Sequence, residues 1–442
     1  MRLKTLICAL LLSLALPTAA WTAPVLMVSI DGLRPADVLQ AEERGLKVPT
    51  LRRLAAEGAS ATGVRNSLPT LTYPNHVTMI TGVWPARHGV VSNTTFDPEG
   101  KNQGGWFWYA EDIKVPTLWD AAHAAGKPVA NLFWPVATGS RSIDWNVPEY
   151  WRARIPEDLK LLRALATPGL IPTLEQASGQ GVAAVFSEEP AGDEARAAWA
   201  GTLIEAKHPA LFTLHLVSLD HTQHDFGPGS PEANRALERI DTALGRLIER
   251  ARAAEPGLVV AVVSDHGFAP LHTQTNLIGA FAEAGLITLD PKSHKVKAWE
   301  AFPWGGASTA IILARPDDAE LKARVRAVLD KLAADPALGI ERVIGADEIA
   351  RMGGGPASFW VDFKLGWEAG GDGAGPATRP SARKGMHGYF PDHPELRATF
   401  IMVGPGVARG RSLGEIDQRD IAPTVAKALG VAFPSADGKP LF

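Results

Sequence analysis

Three short apolar runs, each followed by an acidic residue, most constrain what this chain can fold into. They read VLMVSI at residues 25–30, ALFTLHLV at residues 210–217 and GLVVAVV at residues 257–263. Continuous rather than alternating hydrophobicity is typical of parallel strands that are buried on both faces. Segments with helical spacing lie between these runs. The order therefore predicts an α/β fold, with a central, mostly parallel sheet covered by helices on both faces.

Chemically useful side chains follow the ends of these predicted strands. Asp31 follows the first run, Asp220 and His224 follow the second, and Asp265 and His266 follow the third. Ligands of open α/β sheets bind at the carboxyl ends of the strands. Each residue also has a structural interpretation, because an aspartate can shape a turn and a histidine can be a solvated surface residue.

A further histidine, His387, lies in a glycine-flanked loop before a predicted last strand at residues 398–403. Together with the residues at the three strand ends, it completes a set of three carboxylates and three imidazoles. Oxygen and imidazole ligands suit Zn²⁺, and this set is large enough for two ions. The combination favours a metal site over the separate structural interpretations.

The segment NSLPTLTYPNHVTMITGVWPARHGVVSN, residues 66–93, contains a candidate nucleophile. Thr72 stands just before Tyr-Pro-Asn-His and a run that favours a helix, and proline is common in the first helical turn. The Thr72 hydroxyl is therefore predicted at a helix N-terminus, where backbone N–H groups and the helix dipole favour an anion. Two interpretations are open on this basis: the hydroxyl caps the helix, or it attacks a phosphate.

The first 20 residues have the pattern of a signal peptide. Arg2 and Lys4 precede an apolar run at residues 6–16, and small residues follow up to a cleavage position after Ala20. The alternatives are a retained anchor or a buried first helix, but the run is too short for a stable span. Cys8 is the only cysteine, so the mature chain would have no thiol. We expect a periplasmic protein without a membrane anchor after cleavage, with secretion into the medium as the alternative.

Composition narrows the class of partner. The 442 residues are 46% hydrophobic and 21% charged, which is typical of a soluble globular protein. A net charge of −4 gives no basic surface for nucleic acid or anionic lipid, so we expect a small-molecule substrate. We expect one catalytic domain over residues 21–442, with insertions near residues 100–205 and 271–383. Nothing in the sequence indicates the oligomeric state.

Five motifs occur along the chain in the order IDGLRPADV, PTLTYPNHVTMITGVWPARHGVVSN, LDHTQHDFGP, VVSDHGF and MHGYFPDHPELRATFIMVGPG. They resemble the nucleotide pyrophosphatase/phosphodiesterase family, the type I phosphodiesterases of the alkaline phosphatase superfamily. The resemblance implies an alkaline-phosphatase-like three-layer α/β/α domain with cap or lid insertions. It also implies a two-zinc hydrolase that cleaves nucleotide-type phosphodiester or pyrophosphate bonds through a phospho-threonine intermediate.

The resemblance further implies roles for individual residues. Thr72 would be the nucleophile, Asn93 would donate a hydrogen bond to a phosphoryl oxygen, and Tyr73 would contact a nucleotide base. The six metal ligands would form two groups, of which the first would also contact Thr72. The first group is Asp31, Asp265 and His266, and the second is Asp220, His224 and His387. His221 stands where the family usually has a small residue, either solvated or beside the metal ligands.

Three other classes of protein compete with this interpretation. A sulfatase needs Cys or Ser in a C/S-x-P-x-R pattern, and the sequence Thr-Tyr-Pro-Asn-His at residues 72–76 has neither that residue nor the arginine. A zinc phosphomonoesterase would need extra cations, which residues between Arg152 and Arg163 could supply unless they are solvated on a helix. Those residues are Arg152, Arg154, Lys160 and Arg163. A non-catalytic exported binding protein would tolerate the loss of a ligand, but none is missing.

Overall fold

The computed structural model describes residues 22–102, 104–371 and 373–442. The predicted signal peptide and Cys8 therefore lie outside the described residues. Within the three described ranges, no helix combines the length and apolar character needed to cross a bilayer.

The strands and helices of the described chain are numbered here in chain order. The strands are β1 (Val25–Ile30), β2 (Ala59–Ser60), β3 (Gly63–Arg65), β4 (Val129–Leu132), β5 (Trp145–Val147), β6 (Leu211–Leu216), β7 (Val259–Val263), β8 (Ala269–Asn276), β9 (Ile287–Leu289), β10 (Val296–Trp299), β11 (Ala301–Gly305), β12 (Thr309–Leu313), β13 (Ile340–Gly345), β14 (Phe359–Phe363), β15 (Gly366–Gly370), β16 (Thr378–Pro380), β17 (Gly385–Met386), β18 (Phe400–Val403), β19 (Arg411–Ser412) and β20 (Glu415–Asp417). The α-helices are α1 (Pro35–Leu39), α2 (Pro49–Glu57), α3 (Thr72–Thr81), α4 (Pro85–His88), α5 (Leu118–Ala124), α6 (Asp158–Leu165), α7 (Leu170–Ser178), α8 (Val182–Val185), α9 (Pro190–Lys207), α10 (Ser218–Phe226), α11 (Pro231–Ala254), α12 (Leu277–Glu283), α13 (Ala319–Ala333), α14 (Ala346–Arg351) and α15 (Ile421–Leu429).

An eight-stranded sheet forms the centre of the fold, in the order β19-β2-β18-β7-β1-β6-β4-β5. The five strands from β7 to β5 in this order are mutually parallel, whereas β18 is antiparallel to both of its neighbours. The three apolar runs that dominate the sequence become β1, β6 and β7, which lie side by side. The predicted mostly parallel central sheet is therefore confirmed.

Helices cover both faces of this sheet. In β1, Leu26 and Val28 point into a core shared with α2, α9 and α11, whereas Val25 and Met27 point into a core shared with α3, α5 and α15. Burying a large apolar side chain contributes about 1.5–3 kcal/mol, so both interfaces stabilise the sheet. The resulting three-layer α/β/α arrangement agrees with the predicted fold class.

The region near residues 271–383 differs from the irregular excursion that its sequence suggests. It contains the four-stranded sheet β11-β12-β14-β13, and β8 pairs with β15, β16 and β17. A separate apolar core supports these strands and includes Phe281, Ile311 and Val361. Its strands are short and mix polar with apolar residues, so no long apolar run marks them in the sequence.

The region near residues 100–205 also contributes to the main layers. β5 is an edge strand of the central sheet, and α9 packs along α11. The boundaries of the two insertions stay a prediction.

Candidate active site

The ends of three adjacent strands bring the predicted ligands together. Asp31 follows β1 directly, Asp220 and His224 lie on α10 just after β6, and Asp265 and His266 follow β7. Because β6, β1 and β7 are parallel neighbours, their carboxyl ends meet at one edge of the sheet. This is the edge at which α/β sheets bind ligands.

The first group of candidate ligands is compact and buried. The ligand atoms of Asp31, Asp265 and His266 all lie within 4.8 Å of one another. The Nε2 atom of His266 is 3.4 Å from Asp31 Oδ1 and 3.1 Å from Asp265 Oδ2. Two carboxylates and one imidazole at these distances could bind one divalent cation.

The second group lies directly beside the first. His224 Nε2 is 3.4 Å from Asp220 Oδ2, and His387 Nε2 is 3.6 Å from Asp220 Oδ1. Asp220 and His224 are four residues apart on α10, so they share one face of the helix. The rings of His266 and His387 stack with their centroids 3.6 Å apart, and the ligand atoms of Asp220, His266 and His387 lie within 4.8 Å. His266 therefore lies between the two groups, and the division of the six ligands between two ions stays a prediction.

Unsatisfied oxygens show that a cation fits this site. Asp31 Oδ1, Asp220 Oδ1 and Asp265 Oδ2 are buried and accept no hydrogen bond from the described residues. A buried carboxylate oxygen without a partner is costly unless a positive charge compensates it. These three oxygens belong to the two groups described above, so the donor set suits bound metal.

Without a bound metal ion, the shifted pKa values of Asp31, His387 and His224 each favour the neutral form of the side chain. Burial, followed by the negative charges of Asp265 and Asp220, raises the pKa of Asp31 well above its usual value. Burial lowers the pKa of His387 well below its usual value, and His266 and His224 reinforce the shift. Burial also lowers the pKa of His224. A neutral imidazole is the form that binds a metal ion.

His266 behaves differently from the other two imidazoles. Burial lowers its pKa, but Asp265 and Asp31 outweigh burial and raise the pKa to about 9. A metal ion bound at the first group would displace this proton, because it occupies the same lone pair.

Thr72 is the first residue of α3, as the sequence predicts, but it does not cap the helix. The N-cap residue is Leu71, and no side chain caps this terminus. Thr72 Oγ1 is instead 3.4 Å from His266 Nε2, and the Thr72 carbonyl accepts a hydrogen bond of 2.8 Å from His76 Nδ1. The cap interpretation was therefore wrong, and the hydroxyl lies beside the first ligand group.

Asn93 and Tyr73 are held against each other at the start of α3. Asn93 Oδ1 accepts a hydrogen bond of 2.9 Å from the Tyr73 backbone N–H, so the Asn93 Nδ2 hydrogens are the ones available to a ligand. The Tyr73 side chain is fully buried, and its hydroxyl donates a 2.7 Å hydrogen bond to Glu149 Oε1. The catalytic and binding roles of both residues stay predictions.

A cleft of about 630 Å³ lies over Thr72, Asn93 and the ligand groups. Trp106 contacts Tyr73 edge-on with centroids 5.2 Å apart, and it contacts Trp151 in the same way at 5.0 Å. Both tryptophans are half-buried and line the cleft. The cleft thus has an aromatic surface on one side and the candidate metal ligands on the other.

His221 also lines this cleft, but it faces acidic side chains rather than the metal ligands. Its ring nitrogens lie 3.8 Å from Glu188, 3.9 Å from Glu189 and 3.9 Å from Asp225. Its side chain is about one-third exposed, at 36%. The solvated interpretation therefore fits this residue better than a position beside the metal ligands.

Most of the cations that the phosphomonoesterase alternative would need lie away from the cleft or are paired. Arg154 alone of the four lines the cleft, where it pairs with Glu188 and lies 5.1 Å from the Trp151 ring centroid. Arg163 pairs with Glu175 at 2.6 Å. Arg152 lies 5.8 Å from the Trp108 ring centroid, and Lys160 is exposed on α6.

The sequence interpretation missed two buried residues next to the site, His215 and Glu149. His215 lies inside β6, with Nδ1 2.8 Å from Glu149 Oε2 and Nε2 3.2 Å from Asp31 Oδ2. Burial lowers the pKa of His215, but the neighbouring Glu149 and Asp31 outweigh it and raise the pKa to about 10. The only signal in the sequence was a histidine in a strand whose other residues, apart from Thr213, are apolar.

Solved structures with this architecture confirm the fold class. Human ectonucleotide pyrophosphatase/phosphodiesterase 5 matches with a TM-score of 0.66 and 20% identity, over 94% of this chain and 97% of that chain. An inactive threonine-to-alanine variant of the murine protein, in complex with AMP, matches with a TM-score of 0.65 and 19% identity over the same shares of the two chains. The domain thus has the alkaline-phosphatase-like fold that the motifs imply.

The family follows from the sequence. The model of the type I phosphodiesterase / nucleotide pyrophosphatase family matches residues 25–389, and the chain belongs to this family. An uncharacterized pyrophosphatase/phosphodiesterase of Schizosaccharomyces pombe is 30% identical over 65% of this chain and 52% of its own length. Human ectonucleotide pyrophosphatase/phosphodiesterase family member 1 is 28% identical over 57% of this chain and 24% of its own length. The match therefore spans about half or less of these relatives.

Proposed function

We propose that this chain is an exported two-zinc phosphodiesterase or nucleotide pyrophosphatase that uses Thr72 as its nucleophile. The observation that carries the proposal is the position of the Thr72 hydroxyl, 3.4 Å from His266 Nε2 at the junction of the two ligand groups. A threonine hydroxyl is a weak nucleophile at neutral pH unless its pKa is lowered. When bound, zinc supplies this activation, stabilises the leaving oxygen and activates water.

The chain's own residues then position the reaction. The Thr72 hydroxyl loses its proton to solvent and its Oγ1 bonds to phosphorus, which forms a phospho-threonine ester. The bond between phosphorus and the leaving oxygen breaks on the opposite side. Water next attacks the ester, which releases the phosphoryl product and restores the hydroxyl. Asn93 Nδ2 donates to a phosphoryl oxygen while Asn93 Oδ1 is fixed by the Tyr73 N–H at 2.9 Å. Phosphoryl transfer depends mainly on such positioning and charge stabilisation.

The charges around the cleft support a diester rather than a monoester substrate. A phosphate monoester carries one more negative charge than a diester and needs additional free cations. Two of the three arginines that line the cleft are engaged by carboxylates: Arg154 pairs with Glu188, and Arg196 pairs with Asp193 at 2.5 Å, whereas Arg383 is exposed. Engaged arginines contribute less attraction for a second phosphate charge, so the phosphomonoesterase alternative has less support.

The aromatic wall of the cleft supports a nucleotide-like substrate. The family name and the AMP bound to the murine relative point in the same direction. Because Tyr73 is buried, we propose that Trp106 and Trp151 present the exposed faces for a base, with Tyr73 supporting Trp106. Export to the periplasm, or secretion, rests on the signal-peptide pattern of residues 1–20.

The decisive experiment compares two substrates on the zinc-loaded protein. We expect kcat/KM for the p-nitrophenyl ester of thymidine monophosphate to exceed kcat/KM for p-nitrophenyl phosphate. The Thr72→Ala variant should lose turnover of the diester while metal analysis finds the zinc content of the wild type. Thr70→Ser is the matched control, because Thr70 Oγ1 is bonded to the Tyr389 carbonyl and the control keeps a hydroxyl there. A preference for the monoester would make the protein a phosphatase, and activity in Thr72→Ala would exclude this nucleophile.

A further inference from the structure

We propose that Glu149 and His215 are positioning residues that orient the candidate metal ligand Asp31. The inference rests on the proposed function, because it requires Asp31 to bind metal. It adds two residues that lie outside the metal-ligand motifs and the nucleophile segment.

A continuous chain of polar contacts connects Asp31 to the residue after the nucleophile. His215 Nε2 lies 3.2 Å from Asp31 Oδ2, and His215 Nδ1 lies 2.8 Å from Glu149 Oε2. The other oxygen of Glu149 accepts the Tyr73 hydroxyl at 2.7 Å. We call this chain of Asp31, His215, Glu149 and Tyr73 the tether.

The tether determines which oxygen of Asp31 faces the metal site. His215 engages Oδ2, whereas Oδ1 accepts no hydrogen bond and lies 3.4 Å from His266 Nε2. With Oδ2 engaged, rotation of the carboxyl group would break a buried contact. Partners behind a ligand commonly fix its orientation in this way.

Burial makes the tether durable. Tyr73 is 0% exposed, His215 1%, Asp31 4% and Glu149 5%. Water has little access to replace any of its hydrogen bonds, so each group depends on the next one for a partner. Removing one partner would leave the others unsatisfied in the interior.

The tether also joins separate parts of the fold. Glu149 lies in the loop after β5, two residues before Trp151 in the cleft wall, whereas His215 lies in β6 and Asp31 follows β1. The loop that shapes the substrate cleft is therefore connected to a ligand of the candidate metal site. A change in this loop is expected to change metal binding as well as substrate binding.

The test measures zinc affinity as well as turnover. Glu149→Ala removes the central carboxylate, whereas Glu149→Gln replaces it by an amide that can contact both His215 and Tyr73. Thr213→Val is the matched control: Thr213 lies on the same strand, and its hydroxyl bonds Asn131 at 2.9 Å and Trp119 at 3.2 Å. The control thus removes buried hydrogen bonds without touching the tether.

Zinc dissociation constants are measured by competition with a chromophoric chelator, and the thermal midpoint is measured on metal-free samples. We expect Glu149→Ala to weaken the binding of one of two zinc ions about 10- to 100-fold and to lower kcat. Glu149→Gln should recover part of both. Thr213→Val should lower the thermal midpoint while its zinc affinity stays within twofold of the wild type.

The possible failures are distinguishable. If the wild type binds two zinc ions and cleaves the diester, but Glu149→Ala keeps the zinc affinity of the control, the tether has only a structural role and the inference is overturned. If Glu149→Ala does not fold, Glu149→Gln and His215→Phe are measured in its place. Wild-type zinc affinity in both of these variants would likewise overturn the inference. A wild type that binds no zinc would overturn the proposed function and this inference together.

Discussion

Replacement of Asn93 by aspartate separates its two hydrogen-bonding roles. The Asn93 Oδ1 atom accepts a hydrogen bond of 2.9 Å from the Tyr73 N–H, and we propose that the Nδ2 group donates one to a phosphoryl oxygen. Asn93→Asp keeps an acceptor for the Tyr73 N–H but puts a negatively charged oxygen in place of the donor. Asn93→Ala removes both groups and adds no charge.

The expected magnitudes differ between the two variants. Loss of one donor to a transition-state oxygen costs about 2.7–4 kcal/mol, a factor of about 10²–10³ in kcat. The aspartate adds repulsion, which at about 4 Å and an effective dielectric constant of about 20 is about 4 kcal/mol. We therefore expect kcat to fall in the order wild type, Asn93→Ala, Asn93→Asp.

Stability should follow a different order. A carboxylate at the N-terminus of α3 gains about 0.3–1 kcal/mol from the helix dipole, so Asn93→Asp should be at least as stable as the wild type. Asn93→Ala leaves the Tyr73 N–H without its partner and should lose about 0.5–1.5 kcal/mol.

Steady-state kinetics with the p-nitrophenyl ester of thymidine monophosphate, together with urea unfolding, measures both orders on the same samples. The reasoning would be refuted if Asn93→Asp kept a kcat within tenfold of the wild type. It would also be refuted if the loss of activity in the two variants simply followed their loss of stability.

Two further predictions use His88, which is buried against Thr78 of α3, and Arg383, which lines the cleft. Burial lowers the pKa of His88 to about 3, so the unfolded chain, with a histidine pKa of about 6.5, binds the proton more tightly. Stability should therefore fall as the pH drops below about 6.5, and His88 should contribute about 1.4 kcal/mol to this fall per pH unit. Urea unfolding at pH 5 and pH 7 measures the effect. The difference in the free energy of unfolding between the two pH values should be smaller for His88→Gln than for the wild type. Arg383 is exposed at the cleft and contributes to the lowered pKa of His224, so it is positioned to meet a charged leaving group. An exposed charge contact is worth up to about 1 kcal/mol, which corresponds to a factor of about five. Arg383→Gln should therefore reduce kcat/KM for ATP up to about fivefold relative to kcat/KM for the p-nitrophenyl diester. An equal loss for both substrates would contradict this role.

The sequence predicts the part of the site that depends on the central sheet. β1, β6 and β7 are recognisable because each is a short, predominantly apolar run, and parallel neighbours bring their ends to one edge. The spacing of Asp220 and His224 becomes useful once α10 is helical, as the structure shows. The helical start at Thr72 follows from the proline and the run after it. Only the structure excludes the capping alternative, because Leu71 is the N-cap residue.

The partners of buried polar residues could not be predicted in this way. Glu149 and His215 are 66 residues apart, and no periodic pattern connects a loop after an edge strand with the interior of another strand. His215 fits its strand by position, so only its polarity is unusual. The strands that pair with β8 were missed for a related reason, because β16 and β17 have only three and two residues and are too short to show a period.

His387 shows why the strands that pair with β8 matter for the candidate site. It follows β17, which pairs with β8, so it comes from a unit with an apolar core of its own. The contacts with Thr70 nevertheless lock it onto the segment before α3: His387 Nδ1 donates to the Thr70 carbonyl at 2.9 Å, and the Gly388 N–H donates to Thr70 Oγ1 at 3.0 Å. His387 then faces Asp220 across 3.6 Å. The first ligand group follows strands of the central sheet, whereas the second is complete only when His387 is packed against that sheet. A metal ion bound at the second group would therefore depend on this packing.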